Sequence, residues 1–239
     1  MAETVLITGA ARRLGKLIAE RLASEGCFVW IHYRSHESEA LSLRDQIKEN
    51  GGLAECVQAD LTDTEQIDQM LEKILHSNQG KVTTLINNAS LFLPGTLEET
   101  SSAEWDKVIN TNLKSVWYLS VSISKKFPTI KRIISIGDAN LSGGYERHAV
   151  YGLSKFALKY LNEQMASAFS PRIRTILLSP GLVLQGEHEP DEIWNHRLEK
   201  TLTDNNEIVQ GILSGISYLM TDPGINGSEM LIDNGLHLH

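Results

Sequence analysis

Cysteine is scarce in this chain: there are two among 239 residues, Cys27 and Cys56, both inside apolar runs. They read as reduced, buried thiols and not as a disulfide framework, because buried cysteine behaves as a small hydrophobe. Metal-ligand spacings are missing as well. Glu187-His188-Glu189 and His237-Leu238-His239 hold metal-capable side chains, but no further ligand stands at a recognisable distance, so no metal is expected. Basic residues are outnumbered, 22 against 30 acidic, for a formal net charge of −8 at pH 7. The electrostatic footprint of a nucleic-acid binder is therefore absent. No apolar run approaches the length that crosses a bilayer. Residues 1–9 enter a strand pattern without the basic and apolar regions of a signal peptide, so a cytoplasmic protein with no membrane partner is expected. Internal repeats and low-complexity segments are also missing.

Hydrophobic residues make up 41% of the chain, enough for a large core, and the length suits one domain spanning 1–239. Strand patterns fall at 4–8, 27–33, 53–59, 82–87, 132–136, 172–179 and 229–233. Helical patterns fall between them, at 14–25, 37–50, 65–77, 103–126, 149–168 and 207–220. Gly51-Gly52 is a stop signal for the second helix, and Thr62 and Thr64 offer N-cap side chains to the third. Such alternation builds right-handed βαβ units. The fold expected is α/β: a single-domain, Rossmann-like, doubly wound parallel sheet of about seven strands with helices on both faces. Residues 182–205 are polar and show no periodicity. They are expected to be an irregular connection, with 183–205 forming a substrate-binding loop.

The first strand runs into Thr8-Gly9-Ala10-Ala11-Arg12-Arg13-Leu14-Gly15 and then a helix. Small residues there let the backbone approach a pyrophosphate, and a helix N-terminus supplies N–H groups. Gly9, Arg12, Arg13 and Leu14 are the candidate contacts. NAD-binding proteins usually end the second strand on an acid that holds the ribose hydroxyls. Here that stretch reads Trp30-Ile31-His32-Tyr33-Arg34-Ser35. An acid would repel a 2′-phosphate, whereas His32, Arg34 and Ser35 are donors and Arg suits bidentate phosphate contact. The expected cofactor is NADP(H).

Tyr151 and Lys155 stand at i and i+4 at the start of a long helix, on one face. A phenol titrates near ~10 in water, and a neighbouring ammonium is expected to draw that value down. The loop 8–15, Asp60-Leu61, Asn87-Asn88-Ala89, Asn112 within Asn110-Thr111-Asn112-Leu113, the Tyr151–Lys155 pair and Ser179-Pro180-Gly181 together resemble the short-chain dehydrogenase/reductase family. They occur in family order and cover nearly the whole chain. The resemblance implies that Asp60 and Leu61 flank the adenine and that Asn88 and Ala89 line the cofactor. It also implies that Asn112 supports a proton-relay water beside Lys155, that Pro180 and Gly181 lie next to the nicotinamide, and that the two long helices pair subunits into a homotetramer or dimer.

Two positions depart from the common family pattern. Arg13 replaces a glycine of the first loop, and Asp138, thirteen residues before Tyr151, stands where the family usually has serine. Both departures resemble the pteridine reductase and dihydromonapterin reductase branch, as does Asn88-Ala89-Ser90-Leu91-Phe92. The resemblance implies NADPH-dependent reduction of a dihydropterin to the tetrahydropterin, with Asp138, Tyr151, Lys155 and Asn112 as the catalytic set. Phe92 would stack on the pterin, with Ser90, Arg13 and Trp194 also touching it. The chemistry agrees: a ring nitrogen must be protonated as hydride arrives at the adjacent carbon, and a carboxylate beside the phenol suits that step. The alternative is an NADP-dependent carbonyl reductase acting on 3-oxoacyl groups or small ketones. A cofactor-binding regulator without chemistry would have no need of the Tyr151–Lys155 pair.

Overall fold

The computed structural model describes all residues except 1–2, 80, 141–144, 146, 187–188, 204–206, 222–223 and 239. Its strands are β1 (Thr4–Ile7), β2 (Phe28–Tyr33), β3 (Leu53–Gln58), β4 (Thr84–Asn87), β5 (Arg132–Ile136), β6 (Arg174–Pro180) and β7 (Glu229–Ile232). The helices are α1 (Arg13–Ser24), α2 (Glu37–Glu49), α3 (Thr64–Leu75), α4 (Ser102–Ile109), α5 (Ser115–Lys126), α6 (Ala149–Phe169), α7 (Asp191–Leu198) and α8 (Ile208–Thr221).

All seven strands join one parallel sheet in the order β3-β2-β1-β4-β5-β6-β7. Alternate strand side chains feed opposite faces. Val5, Ile7, Val29, Ile31 and Ile134 point to the layer of α1, α2 and α8, where Ile18, Leu22, Leu43 and Ile216 meet them. Leu6, Trp30, Leu85 and Ile133 point to the other layer, against Ile67, Leu71 and Ile74 of α3 and Leu119 and Ile123 of α5. Because both faces are covered, the central strands carry near-continuous apolar runs. The chain builds outward from β1 to β3, then returns to β4 on the other side of β1. That reversal opens a crevice beyond the carboxyl ends of β1 and β4, the place where such sheets take ligands.

Three local expectations are corrected. The helix expected over 103–126 is two helices joined by a π-helical turn, Asn110–Lys114. Asn112 is buried in that turn, and widened turns of this kind concentrate at functional sites. The connection over 182–205 is not wholly irregular: α7 occupies Asp191–Leu198, with Asp191 and Glu192 in its first turn and His196 and Arg197 in its last. That charge order complements the helix dipole. Residues 187–188 and 204–205 of this stretch lie outside the described residues. Helix α3 is capped by Asp63, whose side chain accepts from the N–H groups of Glu65 and Gln66, and not by a threonine.

Asp63 caps α3 just beyond the cleft-lining residues Asp60–Thr62, and its carboxylate is spent on the N–H groups of Glu65 and Gln66 and on the Gln66 amide. Asp63→Ala should therefore cost about 0.5–2 kcal/mol of stability in denaturant unfolding. An unchanged midpoint would show that the cap contributes nothing.

Candidate active site

The crevice is a cleft of about 760 Å³ that runs from the α1 N-terminus to α7. At one end, β4 clamps the turn after β1. The Thr8 hydroxyl accepts from the N–H groups of Asn88 (2.9 Å) and Ala89 (3.0 Å), and Asn88 Nδ2 donates to the carbonyls of Thr8 (2.9 Å) and Gly9 (3.1 Å). Gly9 has φ +62°, and a side chain there would also meet Ala89 Cα at 3.0 Å. At Gly15 an added Cβ would lie 2.4 Å from Gly9 O and 2.5 Å from Asn88 Nδ2. Two glycines and one asparagine thus keep this turn compact and leave its outer face to the cleft.

The expectation that His32 donates to a phosphate is corrected. It is buried, its Nδ1 accepts the N–H of Gly9 at 3.0 Å, and its Nε2 donates to Ala59 O at 3.1 Å. Burial holds its imidazolium form down to a pKa of about 4, so it is a neutral strut between β1 and β3. Arg34 and Ser35 are exposed on the cleft rim. Arg12 joins them, its Nη1 2.9 Å from Nε2 of His36. The nearest acid, Glu37, accepts the Tyr33 hydroxyl at 3.0 Å. Asp60 Oδ1 accepts from both the N–H (2.9 Å) and the hydroxyl (2.7 Å) of Thr62, with Leu61 beside it on the wall. Arg13 takes a left-handed backbone, φ +51°, and its Nη2 donates to the carbonyls of Leu184 (3.1 Å) and Gln185 (3.0 Å). It bridges the first loop to the far wall.

At the other end the carboxylate of Asp138 collects three donors. Tyr151 donates to Oδ2 at 2.6 Å, Tyr145 lies 2.8 and 2.9 Å from the two oxygens, and the N–H of Asn140 donates to Oδ1 at 2.9 Å. Burial, followed by the charge of Asp138, pushes the Tyr151 phenol well above its ordinary value. This reverses the expectation that Lys155 draws it down. Lys155 Nζ donates to Ile136 O at 2.8 Å and lies 5.7 Å from the Tyr151 ring centre. Its own burial lowers its pKa to about 8. Tyr151 is thus a firmly protonated donor, with an easily discharged ammonium behind it.

The side chain of Asn112 is engaged by Leu91 and Ser154. Its amide oxygen accepts from Leu91 N–H at 2.7 Å, and its Nδ2 donates to Leu91 O (3.0 Å) and the Ser154 hydroxyl (3.1 Å). It pins the segment after β4 to α6. That segment carries exposed Ser90 and Phe92. One face of Phe92 stacks on His148 (centroids 3.8 Å apart, 11° between planes), and Phe92 meets Tyr151 edge-on at 4.6 Å. Pro180 and Gly181 close the floor. A Cβ at Gly181 would strike Asp233 Cα at 2.7 Å, which packs the turn after β7 against the end of β6. Trp194 of α7 forms part of the far wall, with Arg197 5.9 Å over its ring.

All the residues singled out in the sequence therefore line one cleft or, like Asn112, brace it. Tyr145, His148 and Arg197 also line or flank it and were missed, and Glu189, noted in the sequence only as metal-capable, lines it too. Tyr145 and His148 precede α6 in a stretch without periodicity, and Glu189 and Arg197 belong to the connection that carried no helical signal. Among the described residues no group of three metal-capable side chains occurs. Residues 187, 188 and 239, which the sequence marks as metal-capable, lie outside the described residues.

Two outcomes follow from this geometry. Gly15→Ala should destabilise the protein by about 1–3 kcal/mol in denaturant unfolding, because carbonyl and amide groups on both sides must move. The pKa of Lys155 is lower folded than unfolded, so between about pH 8 and the ordinary lysine range the unfolded chain holds the extra proton. Wild-type stability should consequently rise across that window relative to Lys155→Met. Parallel stability curves for the two proteins would contradict the buried ammonium.

Comparison with known proteins agrees with this architecture. Dihydromonapterin reductase of Escherichia coli is 26% identical over 98% of this chain and 96% of its own. The 3-oxoacyl-[acyl-carrier-protein] reductase FabG of Staphylococcus aureus is 27% identical over 100% and 99%. Among solved structures, the FolM alternative dihydrofolate reductase 1 of Brucella canis, complexed with NADP, superposes with a TM-score of 0.87 at 30% identity, covering 99% of this chain and 95% of that one. The family model described as short chain dehydrogenase matches residues 3–192, and the chain belongs to that family of oxidoreductases.

Proposed function

We propose that the protein reduces a dihydropterin, of the dihydromonapterin, dihydrobiopterin or dihydrofolate class, to the tetrahydropterin with NADPH. The observation that carries this reading is the 2.6 Å hydrogen bond from Tyr151 to Asp138: a carboxylate stands beside the acid. A ketone reductase needs a second neutral donor at the carbonyl oxygen. A ring that presents amino and ring N–H donors, and takes up a proton at nitrogen, is better matched by an anion there.

NADPH, when bound, supplies a hydride. The crowding at Gly9 and Gly15 supports a phosphate against the first loop, where Leu14, Arg12 and Arg13 stand. Arg12, Arg34 and Ser35 suit a 2′-phosphate, with His32 holding the loop behind them. Asp60 and Leu61 suit the adenine. Asn88, Ala89, Pro180, Gly181 and Lys155 form the nicotinamide end. Phe92 and Ser90 face the substrate ring from one side, and Trp194 and Arg13 from the other. The Tyr151 proton moves to the ring nitrogen next to the carbon that gains hydride. Lys155 then balances the phenolate, and Asp138 orients the phenol before transfer. Burial of the cluster keeps competing water away.

The carbonyl reductase reading retains one supporting observation, the 27% identity to a 3-oxoacyl reductase against 26% to the dihydromonapterin reductase. Assembly into a dimer or tetramer is part of the proposal. Leu153, Phe156 and Tyr160 lie exposed on one face of α6, and Trp117 is exposed on α5. No helix among the described residues is long and apolar enough to cross a membrane, and a cytoplasmic location is proposed with the rest.

The test is NADPH consumption with dihydromonapterin and dihydrobiopterin, in the wild type and in Asp138→Ser. Turnover that falls at least ~100-fold in the variant is expected, the scale of a lost acid–base partner. Turnover of acetoacetyl thioesters and of no dihydropterin would replace this reading with the carbonyl one.

A further inference from the structure

The backbone around Asp138 is anchored to β6: the N–H of Gly137 donates to Leu178 O at 2.8 Å, and that of Ala139 to Pro180 O at 3.1 Å. The carboxylate itself stands half-buried on the cleft wall and depends on its donors. Among the described residues, Tyr151 holds Oδ2 and the N–H of Asn140 holds Oδ1. The Tyr145 hydroxyl lies 2.8 Å from Oδ1 and 2.9 Å from Oδ2. It has one proton, so it donates to one oxygen at a time, with either within reach.

The ring that carries this hydroxyl has a built seat. A Cβ at Gly152 would lie 3.2 Å from Tyr145 Cδ2 and 3.3 Å from Tyr145 Cβ. Glycine is disfavoured inside a helix, yet it follows Tyr151 directly in the first turn of α6. There it lets Tyr145 lie against the helix that carries the acid. The Tyr145 ring also meets Tyr151 edge-on at 5.3 Å, and its carbonyl accepts the N–H of His148 at 3.1 Å. Burial, followed by the charge of Asp138, pushes the Tyr145 phenol upwards, so it stays a donor.

When Tyr151 passes its proton to the substrate nitrogen, its O–H bond breaks and an N–H bond forms. A phenolate is left 2.6 Å from Oδ2, with no proton between two anionic oxygens. Their repulsion grows as the proton leaves. Tyr145 can turn its hydrogen to Oδ2 at that moment without moving a heavy atom, because its oxygen already stands within reach of both. No proton changes owner at Tyr145; only its hydrogen bond moves.

We infer that Tyr145 is a positioning residue for the proton step: it holds the Asp138 carboxylate against Tyr151 and takes over Oδ2 as the Tyr151 proton departs. This rests on Tyr151 as the proton donor in the reading above.

The experiment measures kcat and KM for dihydromonapterin in the wild type, Tyr145→Phe, Asp138→Asn and the double variant. NADPH binding is read alongside by fluorescence. Tyr145→Phe keeps the ring on Gly152 and removes only the hydroxyl. Its kcat should fall ~10-fold or more with KM little changed, the scale of a hydrogen bond to a charged acceptor. In Asp138→Asn the acceptor is neutral and the repulsion is absent, so the further loss from Tyr145→Phe should shrink to ~3-fold or less. An unchanged kcat in Tyr145→Phe, an equal loss in both backgrounds, an effect confined to KM, or lost NADPH binding overturns the assignment and leaves the dihydropterin reading standing. If the wild type turns over acetoacetyl thioesters and no dihydropterin, that reading fails instead, and the same four proteins assayed on the thioester decide the role of Tyr145. Turnover of neither substrate overturns both.

Discussion

The carboxylate of Asp138 ties the reactive end of the molecule together. It sits just past the carboxyl end of β5, it accepts the phenol that opens α6, and a second phenol, Tyr145, lies across both of its oxygens. A half-buried anion such as Asp138 is held most favourably where donors surround it. Here the donors, Asn140, Tyr145 and Tyr151, all lie on the chain that runs from β5 into the first turn of α6, so the position of Tyr151 is tied to that connection. The same anion keeps the Tyr151 proton in place, while the buried Lys155 ammonium stands behind the ring with a lowered pKa. The site thus holds an acid poised by repulsion on one side and a cation ready to receive its charge on the other.

Around that cluster, side chains that look like ligand contacts turn out to be braces. Asn88 spends its amide on Thr8 and Gly9, His32 spends both nitrogens on Gly9 and Ala59, and Asn112 spends its amide on Leu91 and Ser154. Each links the end of one strand or helix to a neighbour across the crevice. Their common effect is to hold loop backbone, which has no ladder of its own, in a single conformation. Arg13 extends this logic to the far wall. It occupies a left-handed conformation at a cost of about 1–2 kcal/mol, and its two hydrogen bonds to Leu184 and Gln185 offset that cost by linking the first loop to the segment that leads into α7.

Much of the architecture was legible in the chain itself. The periods of the apolar residues marked seven strands and the order of helices between them, because a sheet covered on both faces demands long apolar runs and its crossovers demand helices of matching length. Glycine at 9 and 15 and the Tyr151–Lys155 spacing were legible from the local pattern, whereas Asp138 stood out only through the resemblance to the short-chain reductases. The former answer to local rules: a turn and a helix face.

What the tertiary structure alone decided is which partner each polar group takes. The resistance of Tyr151 to ionisation came from burial and then from the charge of Asp138, neither of which its spacing to Lys155 encodes. Tyr145 and His148 reach the site from a stretch without periodicity, and Arg197 reaches it only because α7 forms and turns its last turn to the cleft. Residues 103–126 read as one helix because a π-helical turn keeps the apolar pattern and shifts only the hydrogen bonding. Hydrophobic periodicity is a property of neighbours in sequence. Charge, proton affinity and hydrogen-bond partnership are properties of neighbours in space, and these the chain acquires only on folding.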